Sequence, residues 1–262
     1  DEVPKLLDGL VNAGLGLTCQ EFADAIRLAA LKGEGLDFDA TAVVLSRKLE
    51  KLRRLGADFA PAPDVSVGGL DLLMSWVQTR RKLLAPEAKA NGVPFPKGIL
   101  LVGVPGTGKS LVGKSIGSEW GLPVMSLDVG SLYGGVVGQT EGNVRKLLET
   151  ADACAPCILL IDEIEKALAG ATGHNGDSGT SKRLFGSLLS WTNDHQSSVF
   201  VVATANDISA LPPELKRKGR FDEIFSVGLP TSKERRSIVE AHLKRHGIAL
   251  TAEALEDIVI ST

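Results

Sequence analysis

The segment GVPGTGKS, residues 103–110, constrains the fold of this chain more than any other stretch. The apolar run ILLV precedes it, and the helix-like segment LVGKSIGSEW follows it. Its spacing fits G-x-x-x-x-G-K-[ST], a loop that connects a buried strand to a helix and surrounds phosphates with backbone N–H groups. A chance Gly-rich turn is the alternative, but eight residues in register with both flanks favour the phosphate loop. The pattern therefore predicts a strand–loop–helix unit that holds a phosphate-bearing ligand.

The glycines, the lysine and the serine of this loop each have a chemical role. Gly103, Gly106 and Gly108 allow a tight backbone turn in conformations that are costly for a residue with a side chain. The N-terminus of the following helix adds partial positive charge. Lys109 is expected to reach the β- and γ-phosphates, and the Ser110 hydroxyl to bind Mg²⁺.

Short apolar runs alternate with helical patterns from residue 98 onward. The runs are GILLVG, LPVMSLD, CILLID, VFVVAT and DEIFSVG. Strands that alternate with helices indicate parallel pairing in a sheet covered on both faces. We therefore predict an α/β fold built on a five-stranded, doubly wound parallel sheet.

The rest of the chain suggests three regions. FADAIRLAALK and TAVVLSRKLEKLRRLG carry apolar residues at spacings of three and four, which predicts helices. The segment DFAPAPDVS contains structure-breaking proline and serine residues and predicts a linker. The expected division is an N-terminal helical segment at 1–60, a large α/β domain at 61–229 and a further helical region at 230–262.

Composition excludes several classes of partner. The 262 residues are 44% hydrophobic and 23% charged, which suits a folded chain with a substantial core. The formal net charge of −3 gives no overall positive field for nucleic acid or anionic lipid. No apolar run approaches the length of a membrane span. We therefore expect neither nucleic acid nor a membrane as partner.

The three cysteines are interpreted as ordinary residues of a reducing compartment. An odd, sparse count argues against a disulfide scaffold and suggests the cytoplasm, or the plastid stroma for an organellar chain. Cys154 and Cys157 form a C-x-x-C pair that leads directly into an apolar run, so small core residues are favoured over a metal or redox site. His242 and His246 share a helix face without an HExxH pattern, which favours a solvated helix.

Two acidic residues end the run CILLIDEIEK. The carboxyl end of a parallel strand faces the ligand crevice, where the phosphate loop also lies. Because neighbouring strand residues point to opposite faces, we expect different roles. Asp162 would hold Mg²⁺ through water, and Glu163 would orient and polarise the attacking water. The next run, VFVVATAND, places Asn206 where its amide can approach the γ-phosphate and that water. A solvated acidic pair and a turn asparagine are the alternatives.

In combination, GVPGTGKS, ILLIDE, ATAND and LPPELKRKGRFD resemble the AAA+ ATPase family, with its Walker A, Walker B, sensor 1 and second region of homology. The resemblance covers about residues 64–250. The stretches PKGILLVGVPGTGKS and ATANDISALPPEL are most similar to the plastid and cyanobacterial branch of that family. The resemblance implies a P-loop NTPase core, ATP and Mg²⁺ as cofactors, a homo-oligomer expected to be a hexamer, and a protein client of unknown identity.

The segment LKRKGRFDEIF is rich in cations. Alone, such a run suits a solvated loop, a nucleic-acid contact or part of a catalytic site. The resemblance implies that Arg217 and Arg220 reach the nucleotide of a neighbouring subunit, with Lys216 and Lys218 as solvated neighbours. An arginine supplied in trans typically accelerates phosphoryl transfer by about 10³- to 10⁵-fold.

Other segments match the family in part. VGGL at 67–70 resembles its adenine-side loop, which implies that Val67 and Gly68 contact the base. LPTSKERRSIVEAHL resembles the start of its helical lid, expected to be incomplete because the chain ends before the sensor 2 arginine. The N-terminal segment resembles the end of such a lid and is expected to belong to a preceding, degenerate module.

A pore loop is expected within SLYGGVVGQTEGNVR. In threading members of the family an aromatic residue grips the substrate, and alignment puts Val136 at that position. Tyr133 lies three residues earlier and could substitute for it or pack in the core. A valine offers less contact area than an aromatic ring, which predicts local remodelling or partner release rather than processive unfolding.

The expected function is Mg²⁺-dependent ATP hydrolysis that remodels or releases a protein partner. A nucleotide-dependent assembly switch or scaffold is the alternative, and a DNA-handling loader is disfavoured by the net charge. The expected nucleotide-binding residues are Val67, Gly68, Pro105, Gly106, Thr107, Gly108, Lys109, Ser110 and Leu111. The expected catalytic residues are Lys109, Glu163, Asn206, Arg217 and Arg220, and the expected metal ligands are Ser110 and Asp162.

Overall fold

A computed structural model describes residues 17–32, 38–54, 58–60, 68–128, 139–166, 178–217 and 219–261, with isolated positions between 7 and 14. Four residues with expected roles lie outside the described residues: Val67, Tyr133, Val136 and Lys218.

The centre of the fold is a six-stranded sheet with the spatial order β1-β3-β4-β5-β2-β6. Five strands are parallel, and β1 pairs antiparallel with β3 at one edge. The five parallel strands coincide with the five apolar runs of the sequence, so the predicted parallel α/β sheet is confirmed. The strand bounds are β1 Asp58–Ala60, β2 Gly98–Val102, β3 Val124–Asp128, β4 Cys157–Asp162, β5 Val199–Ala205 and β6 Glu223–Ser226.

Helices connect these strands and cover both faces of the sheet. No helix in the described ranges is both long and apolar enough to cross a membrane. The helix bounds are α1 Cys19–Lys32, α2 Phe38–Arg54, α3 Asp71–Arg81, α4 Pro86–Ala90, α5 Lys109–Trp120, α6 Gln139–Cys154, α7 Ser178–Asp194, α8 Pro213–Lys216, α9 Ser232–Arg245 and α10 Ala252–Ser261; a short 3₁₀ helix, Lys82–Leu84, follows α3.

Alternate residues of each central strand enter two separate hydrophobic layers. In β2, Leu100 packs in the layer formed with α6 and α7, whereas Ile99 and Leu101 pack in the layer formed with α3 and α5. All five residues of β2 and all seven of β5 are buried. Burial on both faces explains why these strands appear in the sequence as continuous apolar runs rather than alternating ones.

The edge strand β1 was not predicted from the sequence. Asp58–Ala60 belong to DFAPAPDVS, which was predicted as a linker, but they pair with Val124–Ser126 of β3. Three residues give almost no periodicity, so only the neighbouring strand identifies them as a strand. The helix α2 packs against β1, and Lys48 of α2 donates a hydrogen bond to the carbonyl oxygen of Cys154 at 3.4 Å.

Cys154 and Cys157 lie in the core, in agreement with their interpretation as small core residues. Burial raises the pKa of the Cys157 thiol to about 12. A thiol held in its neutral form is a poor nucleophile and a poor metal ligand. The pair therefore acts as packing at the start of β4.

Candidate nucleotide-binding site

The glycines of the phosphate loop are required for two different reasons. Gly106 and Gly108 have φ values of 82° and 81°, in the left-handed region, and a Cβ on either would meet open space. Conformation is therefore what requires glycine there. At Gly103 a Cβ would lie 1.9 Å from the carbonyl oxygen of Val227. Gly103 is required because the loop passes close to the chain that follows β6.

Lys109 is the first residue of α5 and lies within the curve of the loop. Its side chain is buried, and the ammonium donates to the carbonyl oxygens of Gly103 and Val104, both at 2.8 Å. These bonds satisfy a buried cation without an acidic partner. The ammonium is thus held inside the loop, where a phosphate group would meet it.

A cavity of about 710 Å³ lies between the phosphate loop and helix α9. Pockets for small molecules typically measure about 300 to 1,000 Å³. Six expected nucleotide-binding residues line it: Gly68, Pro105, Gly106, Thr107, Gly108 and Leu111. Other lining residues were not expected, among them Leu70, Leu73, Ile238, Ala241, His242 and Arg245.

Helix α9 closes one side of this cavity because Gly68 packs directly against it. A Cβ on Gly68 would lie 2.6 Å from the backbone nitrogen of Ile238. His242, interpreted from the sequence as part of a solvated face, is exposed but faces the cavity. Helical periodicity could not reveal this position, since it depends on how α9 folds back over the loop.

The two expected metal ligands contact each other. The Ser110 hydroxyl lies 2.8 Å and 2.7 Å from the two carboxylate oxygens of Asp162. Within the described ranges no three His, Cys, Asp or Glu side chains form a cluster that could hold a metal ion. A hydroxyl and a carboxylate still fit Mg²⁺, which prefers oxygen ligands and usually keeps water and substrate phosphates in its coordination sphere.

The side chains of Asp162 and Glu163 are separated by a different backbone geometry from the one predicted. Strand β4 ends at Asp162, and Glu163 has a φ of 51°. A left-handed turn, rather than the pleat of a strand, therefore separates the two carboxylates, and the alternation argument was wrong for Glu163. Asn206 Nδ2 donates to Glu163 Oε1 at 3.1 Å, and Lys166 forms an ion pair with Oε2.

Backbone strain is concentrated at this site. Leu70 and Glu163 are the two non-glycine residues with positive φ in the described part of the chain. Leu70 lines the cavity, and Glu163 follows the acidic strand end. Such conformations cost roughly 1 to 3 kcal/mol and are typical of functional sites.

Arg220 lies near the end of the sheet opposite to the phosphate loop, since Lys97, just before β2, donates a hydrogen bond to the carbonyl oxygen of Gly219. Arg220 lies three residues before the first residue of β6, Glu223, which pairs with Ile99 near the start of β2. The loop instead follows the carboxyl end of β2. Arg217 is exposed, and Arg220 is half-buried with Nη1 lacking a hydrogen-bond partner among the described residues. The structure therefore brings together the loop, the acidic pair and Asn206, but not the arginines.

Comparison with known proteins identifies the family. The ATPase family associated with various cellular activities (AAA) matches residues 99–229. The chain is 44% identical over 242 residues to the uncharacterized AAA domain-containing protein ycf46 of Guillardia theta, covering 91% of this chain and 48% of that protein. It is 40% identical to the ycf46 protein of Pyropia yezoensis, covering 92% of this chain and 49% of that protein.

A more distant relative is the peroxisomal ATPase PEX6 of Arabidopsis thaliana, 28% identical over 93% of this chain and 29% of that protein. The chain spans about half the length of the two ycf46 proteins. The resemblance to the AAA+ family and its plastid and cyanobacterial branch is confirmed by these relatives. With a phosphate loop, an acidic strand end and a polar neighbouring strand end in one place, the chain belongs to the AAA ATPase family.

Proposed function

We propose that this chain binds ATP with Mg²⁺, hydrolyses it, and acts as a subunit of a six-membered ring that remodels or releases a protein partner. One observation carries the proposal. Ser110 of α5 is hydrogen-bonded to Asp162 at the carboxyl end of β4, and Asn206, just after β5, is hydrogen-bonded to Glu163. These pairs combine a metal-binding oxygen set with a carboxylate that can accept a proton from water.

The cavity supports nucleotide binding by the expected residues. The left-handed glycines Gly106 and Gly108 shape a loop whose N–H groups can bind phosphates. The ammonium of Lys109 would exchange two carbonyl oxygens for phosphate oxygens, which bind a cation more strongly. The apolar walls near Gly68, including Leu70 and Ile238, suit a planar base.

The acidic pair supports hydrolysis. Mg²⁺ held by Ser110 and Asp162 would neutralise charge on the phosphates during transfer. Asn206 holds one carboxylate oxygen of Glu163, which fixes the direction of the side chain. Glu163 would orient the attacking water and take its proton.

The arginine positions support action between subunits. Strand β2 has five residues, which corresponds to about 16 Å at about 3.3 Å per residue. This length separates the phosphate loop from the start of β6, and it exceeds the reach of an arginine side chain. Arg217 and Arg220 are therefore proposed to serve the nucleotide of the neighbouring copy. A ring of identical head-to-tail contacts gives every site such an arginine.

Two substitutions test hydrolysis. Glu163→Gln should bind ATP like the wild-type chain but turn it over at least about tenfold more slowly, because water activation is lost. Lys109→Ala should instead lose ATP affinity, because it removes the cation of the loop. Turnover is measured by phosphate release and affinity by calorimetry, with Glu240→Gln, an exposed acid on α9, as the matched control.

Two outcomes would contradict the proposal. Wild-type turnover by Glu163→Gln would remove this residue from the mechanism. ATP-dependent assembly without turnover in the wild-type chain would favour a nucleotide-dependent switch or scaffold instead.

A further inference from the structure

A buried hydroxyl connects the acidic pair to the neighbouring strand. Thr204 is the sixth residue of β5, with 0% of its surface exposed. Its hydroxyl donates to Asp162 Oδ1 at 2.5 Å and accepts the backbone N–H of Glu163 at 2.9 Å. The single hydroxyl proton and one of the two lone pairs of Thr204 are therefore used within the acidic pair.

The backbone of Thr204 continues this attachment. Its carbonyl oxygen accepts the N–H of Ile164 at 2.9 Å. One residue of β5 thus receives two successive N–H groups of the turn that follows β4. Because Glu163 has a strained φ of 51°, this turn needs such outside support to keep its conformation.

Packing alone does not explain a threonine at this position. Its neighbours in β5 are buried apolar residues, including Val202 and Ala205. A valine would have the same shape and avoid the cost of burying a hydroxyl. The threonine differs from valine only in the oxygen, and the two side-chain bonds of that oxygen end on Asp162 and Glu163.

We propose that Thr204 is a positioning residue, whose hydroxyl holds the Asp162 carboxylate and the Glu163 backbone in the arrangement used for hydrolysis. This proposal rests on the proposed function of the site. Thr204 has no exposed surface and does not line the cavity, so it would act through the two acidic residues. The Oδ1 atom of Asp162 accepts the hydrogen bond from the Thr204 hydroxyl. The Ser110 hydroxyl lies within hydrogen-bond distance of both carboxylate oxygens of Asp162. Removing a group that is hydrogen-bonded to a metal ligand typically lowers metal affinity or activity by about 10- to 100-fold.

Three substitutions separate the hydroxyl from the shape of the side chain. Thr204→Val keeps the shape and removes both side-chain hydrogen bonds, and Thr204→Ser keeps the hydroxyl. Thr192→Val is the matched control, since Thr192 is also buried but its hydroxyl donates only within α7, to the carbonyl of Leu189. In Thr204→Val, kcat should fall about 10- to 100-fold, and KM for ATP measured with Mg²⁺ should rise by no more than about tenfold. Thr204→Ser and Thr192→Val should retain most of the wild-type kcat.

Two further measurements do not depend on turnover. The gain in affinity that Mg²⁺ gives to a non-hydrolysable ATP analogue, measured by calorimetry, should fall about tenfold in Thr204→Val. Hydrogen exchange of the Glu163 amide should accelerate about tenfold in the same variant. The Ile164 amide is an internal control, because it is bonded to the carbonyl of Thr204 rather than to the hydroxyl.

The outcomes distinguish this proposal from the proposed function. A wild-type chain that binds the analogue with Mg²⁺ but never releases phosphate would overturn hydrolysis, and the calorimetry and exchange would still decide the role of Thr204. Unchanged exchange of the Glu163 amide in Thr204→Val would overturn the positioning role. Equal losses of kcat in Thr204→Val and Thr204→Ser would overturn it as well, since the hydroxyl would then not be the cause.

Discussion

At the scale of single residues, a sequence pattern can name the right residue for an incomplete reason. The loop pattern specifies Gly103 and Gly108, with Gly106 between them, and the left-handed φ values of Gly106 and Gly108 agree with the reason given. Gly103 is required by its approach to the carbonyl of Val227, which lies more than one hundred positions later in the chain. No local rule contains such a contact.

This difference between the glycines predicts different costs of substitution. Gly106→Ala keeps open space around the new Cβ and should cost about 1 to 2 kcal/mol of unfolding free energy, the price of a left-handed residue with a side chain. Gly103→Ala places the Cβ against backbone, so the loop or the chain after β6 must move. Its cost should be larger, about 2 to 4 kcal/mol. Urea unfolding of both variants measures the two values, and a smaller cost for Gly103→Ala would contradict the close approach.

The same limit applies to Glu163 and Thr204. The sequence correctly predicted an acidic pair at the carboxyl end of a strand, but strand alternation could not predict that Glu163 lies in a turn with φ of 51°. Thr204 stands in the run VFVVATAND, where no sequence pattern indicates what its hydroxyl contacts. Its partners became clear only once β4 and β5 were paired and the distances to Asp162 and Glu163 were known.

At the scale of elements, apolar runs predicted the parallel strands and missed the edge strand. The five parallel strands are runs of four to seven residues, of which β2, β4 and β5 are buried almost throughout and β6 is only partly buried. The edge strand β1 has three residues and depends on pairing with β3. The division of the chain into regions at 60 and 229 stays a prediction, and β1 together with Lys48 shows how the N-terminal helices contact the sheet.

The contact made by Lys48 predicts a pH-dependent stability. Lys48 is 2% exposed, and burial lowers its pKa below 10.5. Between the folded pKa and 10.5, the unfolded chain binds more protons than the folded one, so the contribution of Lys48 to stability rises with pH. In Lys48→Met this contribution is absent. The unfolding free energy of the wild-type chain minus that of the variant should therefore increase with pH, by about 1.4 kcal/mol for each unit by which the pKa is lowered.

Urea unfolding between pH 7 and the unfolded pKa of lysine measures this difference. The thiols of Cys154 and Cys157 interact electrostatically with Lys48, so their effect would not cancel, and both proteins are compared with these two cysteines replaced by alanine. Lys146→Met, at an exposed position of α6, controls for the loss of a lysine as such. A difference that stays flat or decreases with pH would show that Lys48 is not held in a desolvating contact.

At the scale of the whole molecule, the site combines distant parts of the chain. The phosphate loop follows β2, the acidic pair ends β4, and Asn206 follows β5, and these three parallel strands are neighbours in the sheet. Because the carboxyl ends of parallel strands lie at one edge, the sequence motifs could predict that these residues meet. The cavity also needs α9, more than one hundred residues after the loop, to pack against Gly68. Sequence motifs do not specify that packing, which is why His242 and Arg245 were not expected at the cavity.

The position of Arg220 concerns the arrangement of two copies of the chain. Arg220 lies near the amino ends of the parallel strands, whereas the phosphate loop lies at the carboxyl ends. If Arg220 assists hydrolysis at all, its partner site therefore belongs to another copy. Arg220→Ala should then bind ATP but hydrolyse it at least about 10³-fold more slowly, the lower range for an arginine supplied in trans. Lys216→Ala, at an exposed neighbouring position, is the matched control.

A mixing experiment tests whether Arg220 acts between copies. Arg220→Ala subunits keep a sound phosphate loop, and Lys109→Ala subunits keep a sound arginine, so neither variant forms a complete site alone. In rings assembled from equal amounts, about one contact in four joins a sound loop to a sound arginine, which allows recovery of up to about a quarter of wild-type turnover. Turnover per wild-type subunit should also rise with protein concentration until assembly is complete. Mixed assemblies that form, as shown by subunit exchange between differently labelled chains, yet recover no turnover would contradict action in trans and return Arg220 to a role within its own copy.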